Sequence, residues 1–181
     1  MLIDPDAELV ARAGRGDRTA AQALMARHLP KMTMLARRML SDPIEAEDVV
    51  QDAFMRLWTH AARWQPGRAK FETWLYRVTL NLCYDRLRRR TTAPLDEAME
   101  VPDTAAGPEV LHANTVLSAS IESAMAELPE RQRAAILLCH YQECGNIEAA
   151  EILGISVEAL ESLLARGRRA LRAKLEHLRD Q

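Results

Sequence analysis

Apolar residues recur at steps of three and four through most of this chain, a pattern that writes out a series of amphipathic helices. Over IEAEDVVQDAFMRLW, the residues Ala46, Val49, Val50, Ala53, Phe54, Leu57 and Trp58 form one stripe, and Glu45, Glu47, Asp48, Gln51 and Asp52 fill the opposite face. Asp42-Pro43 is a start signal for that helix, and Gln65-Pro66-Gly67 closes it. In the FETWLYRVTLNLCYDRLRRR that follows, Phe71, Leu75, Val78 and Leu82 are spaced for a core. Arg77, Asn81, Tyr84 and Arg88 line its far side, with Trp74 at the edge of the stripe. Upstream, the pattern predicts a helix from about Asp6 to Arg15 and another from about Thr19 to Leu40. The second has Ala23, Leu24, Leu29, Met32, Leu35, Ala36 and Met39 available for a core, and Pro30 is expected to kink or interrupt it.

Periodicity then stops. Residues 91–113 contain Pro94, Pro102 and Pro108, five acids and no Lys or Arg, the signature of a flexible acidic linker. Beyond it the helical spacing resumes. Val116, Leu117, Ile121, Ala124 and Leu128 define one helix, and Pro129 opens another that carries Ala134, Ile136, Leu137, Leu138 and Tyr141. Asn146 is expected to cap a short helix, IEAAEIL, which Gly154 ends. Ser156 caps a long final helix striped with Leu160, Leu164, Gly167, Leu171, Leu175 and Leu178. The expected fold is all-α, with two small helical domains at 1–92 and 116–181 joined by a linker at 93–115.

Charge sharpens this picture. The chain has 181 residues and a net charge of only −2, but the charge is segregated. Residues 1–90 carry +5, residues 91–121 carry −5, and the final helix gathers six basic against two acidic side chains over 162–181. Basic blocks beside acidic surfaces are what a DNA binder with a protein partner would show. The acidic face at 45–52 next to a helix mixing arginines, an amide and aromatic rings points the same way. Unpaired bases stack on rings while cations hold phosphates.

The second block supplies a helix-turn-helix pattern over 146–175. Ala149 and Ala150 allow close approach, a turn glycine follows, Ile155 plugs the core, and a basic helix follows the Ser156 cap. Glu158, Ser162, Ala165, Arg166 and Arg169 lie opposite its apolar stripe, with Arg172 nearby. Arg166 and Arg169 suit base edges or phosphates, and Arg168 and Arg172 suit phosphates. A solvated amphipathic helix that caps a bundle is the competing reading.

Other chemistry is thin. There is no glycine-rich phosphate loop, zinc spacing or nucleophile motif, so an enzyme is disfavoured. His28, His60, His112, His140 and His177 are scattered. Cys139 and Cys144 flank His140 in CHYQEC, but a third and fourth metal ligand are not apparent. With Cys83 they fit reduced thiols better than a disulfide framework. No metal or cofactor is expected. No apolar run reaches membrane-span length and the N-terminus lacks a signal peptide, so a soluble cytoplasmic chain without membrane insertion is expected.

Taken in order, EAEDVVQDAFMRLW, FETWLYRVTLNLCYDRLRRR and LPERQRAAILLCHYQECGNIEAAEILGISVEALESLLARGRRALRAKL resemble regions 2.2, 2.3–2.4 and 4 of the extracytoplasmic-function (ECF) sigma factors. The resemblance implies a factor that binds core RNA polymerase and directs it to promoter DNA through −10 and −35 elements. It also implies inhibition by an anti-sigma factor covering the same surfaces. By that resemblance, Asp48, Gln51, Asp52 and Phe54 would grip the polymerase clamp, although Phe54 also belongs to the core stripe and is expected to bury in the core rather than in the interface. Residues 64–71 match the loop that captures a flipped −10 base, with Arg68 and Lys70 as its cations. Trp74, Arg77, Asn81, Tyr84 and Arg88 match the melting and recognition helix, Trp74 being equally placed for the core. Ser162, Arg166, Arg168, Arg169 and Arg172 would meet the −35 element. Many relatives carry basic residues where this chain has Glu161 and Leu163, so a −35 preference does not transfer. The linker matches a segment threading polymerase near the RNA path, or is a solvated tether. A conventional helix-turn-helix regulator that binds operator DNA without polymerase remains the alternative.

Overall fold

A computed structural model describes residues 4–64, 69–92 and 112–179, and among them every regular element is helical. In chain order these are α1 (Ala7–Gly14), α2 (Arg18–Leu40), α3 (Pro43–Ala61), α4 (Phe71–Thr92), α5 (His112–Ala126), α6 (Glu130–Ile136), α7 (Asn146–Leu153) and α8 (Val157–Arg179). The segment 93–111 lies outside the described residues, as do Gln65-Pro66-Gly67 and Arg68.

Local signals set most helix ends. The Asp17 side chain accepts hydrogen bonds from the amides of Thr19 (2.9 Å) and Ala20 (3.1 Å), capping α2. Asp42 does the same for α3 through Ile44 and Glu45, with Pro43 in the first turn. Each cap answers amides that the helix itself leaves unpaired. Ser156 Oγ accepts from Ala159 at 3.2 Å, so α8 starts where expected. Two expectations fail. Gly145, not Asn146, stands at the cap position of α7, and Asn146 is its first residue. Pro30 leaves α2 uninterrupted over 23 residues. Pro30 faces solvent, where water can serve the carbonyl it abandons, while Leu24, His28 and Met32 anchor both flanking turns in the core.

The α3 stripe is buried as its periodicity demands, except that Trp58 remains 37% exposed. Helix α4 departs further from a one-sided reading. Phe71, Leu75 and Leu82 are buried, but so are Tyr76, Thr79, Leu80 and Cys83, while Val78 is half-buried. The reason is tertiary: α4 packs on α2 and α3 along one side and on α7 of the second block along another. Full burial of a Leu or Phe side chain is worth roughly 1.5–3 kcal/mol, so α4 holds much of the core together.

Helix α1 is fixed by a buried polar cluster. Asp6, 2% exposed, lies 2.8 Å from His28 Nε2 and also pairs with Arg27. Burial alone would raise the Asp6 carboxyl, but the hydrogen bond and charge of His28, with Arg27 behind it, hold it below the usual carboxylate range. In the second block, α6 runs into one π-helical stretch at Leu137–Tyr141, and α8 closes the bundle over Leu160 and Leu164.

Two glycines mark close approaches of different kinds. A Cβ on Gly14 would stand 2.6 Å from the backbone oxygen of Ala61, whereas one on Gly167 would meet only the tip of Ile136, Cδ1, at 2.7 Å. Backbone cannot yield cheaply and a side-chain tip can. In urea denaturation, Gly14→Ala is therefore expected to cost about 1–3 kcal/mol. Gly167→Ala should fall within about 1 kcal/mol of the parent, because the gain in helix propensity offsets the small shift of Ile136. Equal losses at the two positions would contradict this packing.

Candidate nucleic-acid and partner interfaces

Three surfaces bring the sequence-derived residues together. The first is the outer ridge of α3. Asp48, Gln51 and Asp52 are exposed there, and Asp52 pairs with Arg86 at 3.5 Å while Asp48 and Gln51 carry no side-chain partner among the described residues. Phe54 is 4% exposed and packs in the core, so it supports this ridge from below rather than forming part of it. Periodicity alone missed the apolar members. Ile44 (73% exposed) and Met55 (60%), with Trp58, alternate with Asp48 and Gln51 at steps of four and three. That spacing of four and three is the one shared by the contact positions of a coiled coil, and it was readable in the sequence as a second stripe beside the core one.

The second surface is a cleft of about 360 Å³ where the end of α3 meets the start of α4, lined by His60, Arg63, Trp64, Ala69, Thr73, Trp74 and Arg77. Its wall is aromatic. The His60 ring stacks on Trp74 at 4.4 Å and 7°, and Trp64 meets Phe71 and Trp74 edge-on at 5.8 and 6.2 Å. Trp64 Nε1 is buried and has no hydrogen-bond partner among the described residues. Rings flanked by arginines in a cleft of this size suit a single unstacked base. Trp74 is half-buried against the core and also lines this cleft, so the two alternatives for it coincide. His60 and Arg63 belong here too. The i, i+4 spacing of His60 and Trp64 was the available signal for the histidine.

Farther along α4, Asn81 and Arg88 are exposed, with Arg88 bound to Asp85 at 2.7 Å. Tyr84 does not join them. It packs against the core, its hydroxyl is buried without a partner among the described residues, and burial pushes the phenol up to about 12. Arg77 donates to the Glu151 carbonyl, and Lys70 lies 3.7 Å from Glu148. Arg68 lies outside the described residues.

The third surface is α8. Ser162, Arg166, Arg168, Arg169 and Arg172 are all exposed; Ser162, Arg166 and Arg169 lie on the side away from buried Leu160 and Leu164, whereas Arg168 stands one turn beyond Leu164 on the bundle side. Arg166 Nε donates to the Ser162 carbonyl at 3.2 Å, and Arg168 is tied back to His140 Nε2 at 3.1 Å. The π-helical stretch that contains His140 thus reaches the middle of the basic helix.

The CHYQEC segment brings no ligand set together: among the described residues no group of three or more His, Cys, Asp or Glu side chains is placed to hold a metal. No helix among them is long and apolar enough to cross a membrane. Burial pushes the Cys83 thiol up to about 12, and burial with neighbouring Glu148 and Glu72 does the same to Cys144. Cys139 is raised as well, mainly by burial. Thiolate is the reactive form. Titration of the native chain with DTNB at pH 7.5 is therefore expected to find at most the half-buried Cys139 slowly reactive, with all three thiols reacting after denaturation. Fast reaction of two or three native thiols would contradict this burial.

Known proteins match both helical blocks. The sequence profile described as Sigma-70 region 2 matches residues 24–92, and that of Sigma-70 region 4 matches residues 118–171. The ECF RNA polymerase sigma factor SigW of Bacillus subtilis is 33% identical over 175 residues, which is 91% of this chain and 93% of SigW. The ECF sigma factor SigE of Mycolicibacterium smegmatis is 32% identical over 87% of this chain, which spans 63% of that longer protein. Among solved structures, CnrH in complex with the cytosolic domain of CnrY superposes with a TM-score of 0.73 at 30% identity, covering 96% of this chain and 99% of CnrH.

Proposed function

Because the chain belongs to the ECF sigma factors, which bind RNA polymerase and direct transcription initiation, we propose a division of that work among its three surfaces. The α3 ridge of Ile44, Asp48, Gln51, Met55 and Trp58, with Asp52 at its side, docks on a helical element of core polymerase. Residues 1–92 read and open the −10 region, with the α3–α4 cleft taking a flipped base beside Trp64 and Trp74. Lys70, Arg77, Asn81 and Arg88 hold the backbone of the displaced strand, together with Arg68. Residues 116–181 read the −35 duplex through Ser162, Arg166, Arg169 and Arg172, with Arg168 on a phosphate. No residue is assigned a catalytic role and no cofactor is needed. Work on promoter DNA places the chain in the cytoplasm. A further partner is an anti-sigma factor, since CnrH, similar over its whole length, was solved bound to another protein's cytosolic domain.

One observation carries this reading. The α3–α4 hairpin presents an acidic-apolar seam on one side and a ring-lined cationic cleft on another, so one rigid unit can join polymerase to unpaired DNA. The energetics are compatible with opening without ATP. Extruding a base costs a few kcal/mol, and stacking returns about 1–3 kcal/mol per base. A regulator acting without polymerase is not favoured, because regions 2 and 4 both match in order.

Core polymerase supplied with this chain on genomic DNA from the source organism is expected to start transcripts at discrete new sites. Their upstream sequences would give both promoter elements. Specific duplex binding by the chain alone, without any new transcript, would sink the proposal. The double substitution Asp48→Ala and Gln51→Ala should weaken binding to core enzyme by roughly tenfold or more while circular dichroism stays unchanged. Unaltered affinity would remove α3 from the interface. Arg166→Ala should lower transcription from templates with an intact −35 element by roughly tenfold. Equal loss on scrambled −35 templates would reassign Arg166 to a phosphate.

A further inference from the structure

We infer that Asp4, ahead of α1, is a positioning residue for the α3–α4 cleft: it caps α4 from 67 residues away and is backed there by the Asp6–His28 pair. The inference rests on the assignment of that cleft to an unpaired base, and it concerns a residue that does not line the cleft.

Helix α4 begins at Phe71, so its cap position falls on Lys70, a side chain that can only donate. The Phe71 amide donates instead to Asp4 Oδ2 at 2.9 Å. The other oxygen, Oδ1, accepts from the Asp6 amide at 3.0 Å. One carboxylate thus ties the start of α4 to the start of α1. Its negative charge also suits the partial positive charge of a helix N-terminus.

A second link runs through side chains. Asp6 is fixed by His28 Nε2 at 2.8 Å and by Arg27. The other nitrogen of that ring, Nδ1, stands 3.8 Å from Glu72 in the first turn of α4, and Lys31 pairs with Glu72 at 2.5 Å. The His28 and Phe71 rings meet edge-on, with centroids 5.5 Å apart at 70°. Phe71 is therefore held by its backbone through Asp4 and by its ring through His28.

Phe71 in turn sets the walls of the cleft. It is 1% exposed and lies 5.8 Å from Trp64 at 80° and 5.8 Å from Trp74 at 32°. Thr73, Trp74 and Arg77, from the first two turns of α4, line the cleft opposite the end of α3. A first turn that frays or shifts would move Trp74 and Arg77 relative to His60 and Trp64. Binding sites need their contact groups held to within about 0.5 Å by the residues behind them. Asp4 supplies that support from outside residues 24–92, the span matched by the region 2 profile. Both bonds of its carboxylate run to Asp6 and α4, so its loss should spare docking of the α3 ridge.

The test compares Asp4→Ala with Asp4→Asn in the full chain. Asparagine keeps a side-chain oxygen that caps about as well as a carboxylate, and alanine has none. Hydrogen exchange at the Phe71 amide, followed by NMR, should quicken by about fivefold or more in Asp4→Ala and stay within about twofold of wild type in Asp4→Asn. Affinity for core polymerase should remain within about twofold in both variants. Transcription by core polymerase from a promoter located on genomic DNA should fall about fivefold in Asp4→Ala and recover in Asp4→Asn. Intact core binding separates positioning from a general loss of fold, and rescue by asparagine separates the hydrogen bond from the charge. If circular dichroism shows that Asp4→Ala does not fold, Asp4→Glu takes its place. Its extra methylene displaces the oxygens from Phe71, with the same directions expected and smaller factors. Unchanged exchange at Phe71 in Asp4→Ala would overturn the cap. Faster exchange with undiminished transcription would overturn the positioning role, as would a parallel loss of core affinity or an asparagine variant as impaired as alanine. If the wild type itself starts no transcript, the base-binding reading of the cleft fails and the positioning role fails with it. Exchange at Phe71 then still decides whether Asp4 holds the start of α4.

Discussion

A buried guanidinium joins the two helical blocks and sets how the second lies on the first. Arg133 is 7% exposed and donates to the carbonyls of Ala126 and Leu128 within its own block and to Met39 near the end of α2. Carbonyls at the ends of helices lack partners and carry partial negative charge. One side chain therefore does for α2 and α5 together what a separate cap would do for each. Burial lowers the pKa of the guanidinium but leaves it charged, since arginine does not give up its proton in proteins. Removing it would strand several buried carbonyls at once, a cost well above that of a surface contact. With the end of α2 pinned to α6, the stacking of Arg38 on Tyr141 at 3.7 Å and the bridge from Gln142 to Lys31 bring the second block across the first. That is how α7 comes to lie on α4.

Helix α4 carries the resulting tension. Its core side must bury Phe71, Leu75 and Leu80 to hold the first block together. Its opposite side, in the proposed function, offers cations and rings to a strand of DNA. Unsatisfied cations on a folded surface find partners, and in this chain the partners are internal: Arg88 has Asp85, Arg90 has Glu45 and Asp42, Lys70 has Glu148, and Arg77 has a carbonyl. Exposed pairs of this kind are worth about 0–1 kcal/mol each, small enough for phosphates to replace. Weak internal pairing keeps the surface organised without committing it.

The π-helical stretch at Leu137–Tyr141 shows how a local irregularity serves both ends of the second block. The widened turn directs Tyr141 under Arg38, Gln142 to Tyr76, and His140 to Arg168. Such turns cost regular hydrogen bonding and recur where helices are bent to a task. The left-handed backbone of Glu143, at φ 56°, completes the turn into α7.

Much of this protein was set by sequence alone. The helices, their Asp17, Asp42 and Ser156 caps, the core stripe of α3, the helix-turn-helix and the order of the two blocks follow from spacing and from side chains that bond within a few residues of themselves. So do the exposed positions of Asp48, Gln51, Arg166 and Arg169, because one side of a helix is buried and the other cannot be. Tertiary structure decided the rest. Tyr84 left the reading surface for the core, Trp58 left the core for the α3 ridge, and His60, a residue with no motif of its own, became the face on which Trp74 stacks. Pro30 stayed inside a continuous helix because packing on both sides outweighed one lost hydrogen bond. These outcomes depend on which helix lies against a second side of another. Periodicity finds one buried stripe per helix, and it is silent where, as on α4, two neighbours from different parts of the chain divide the surface between them.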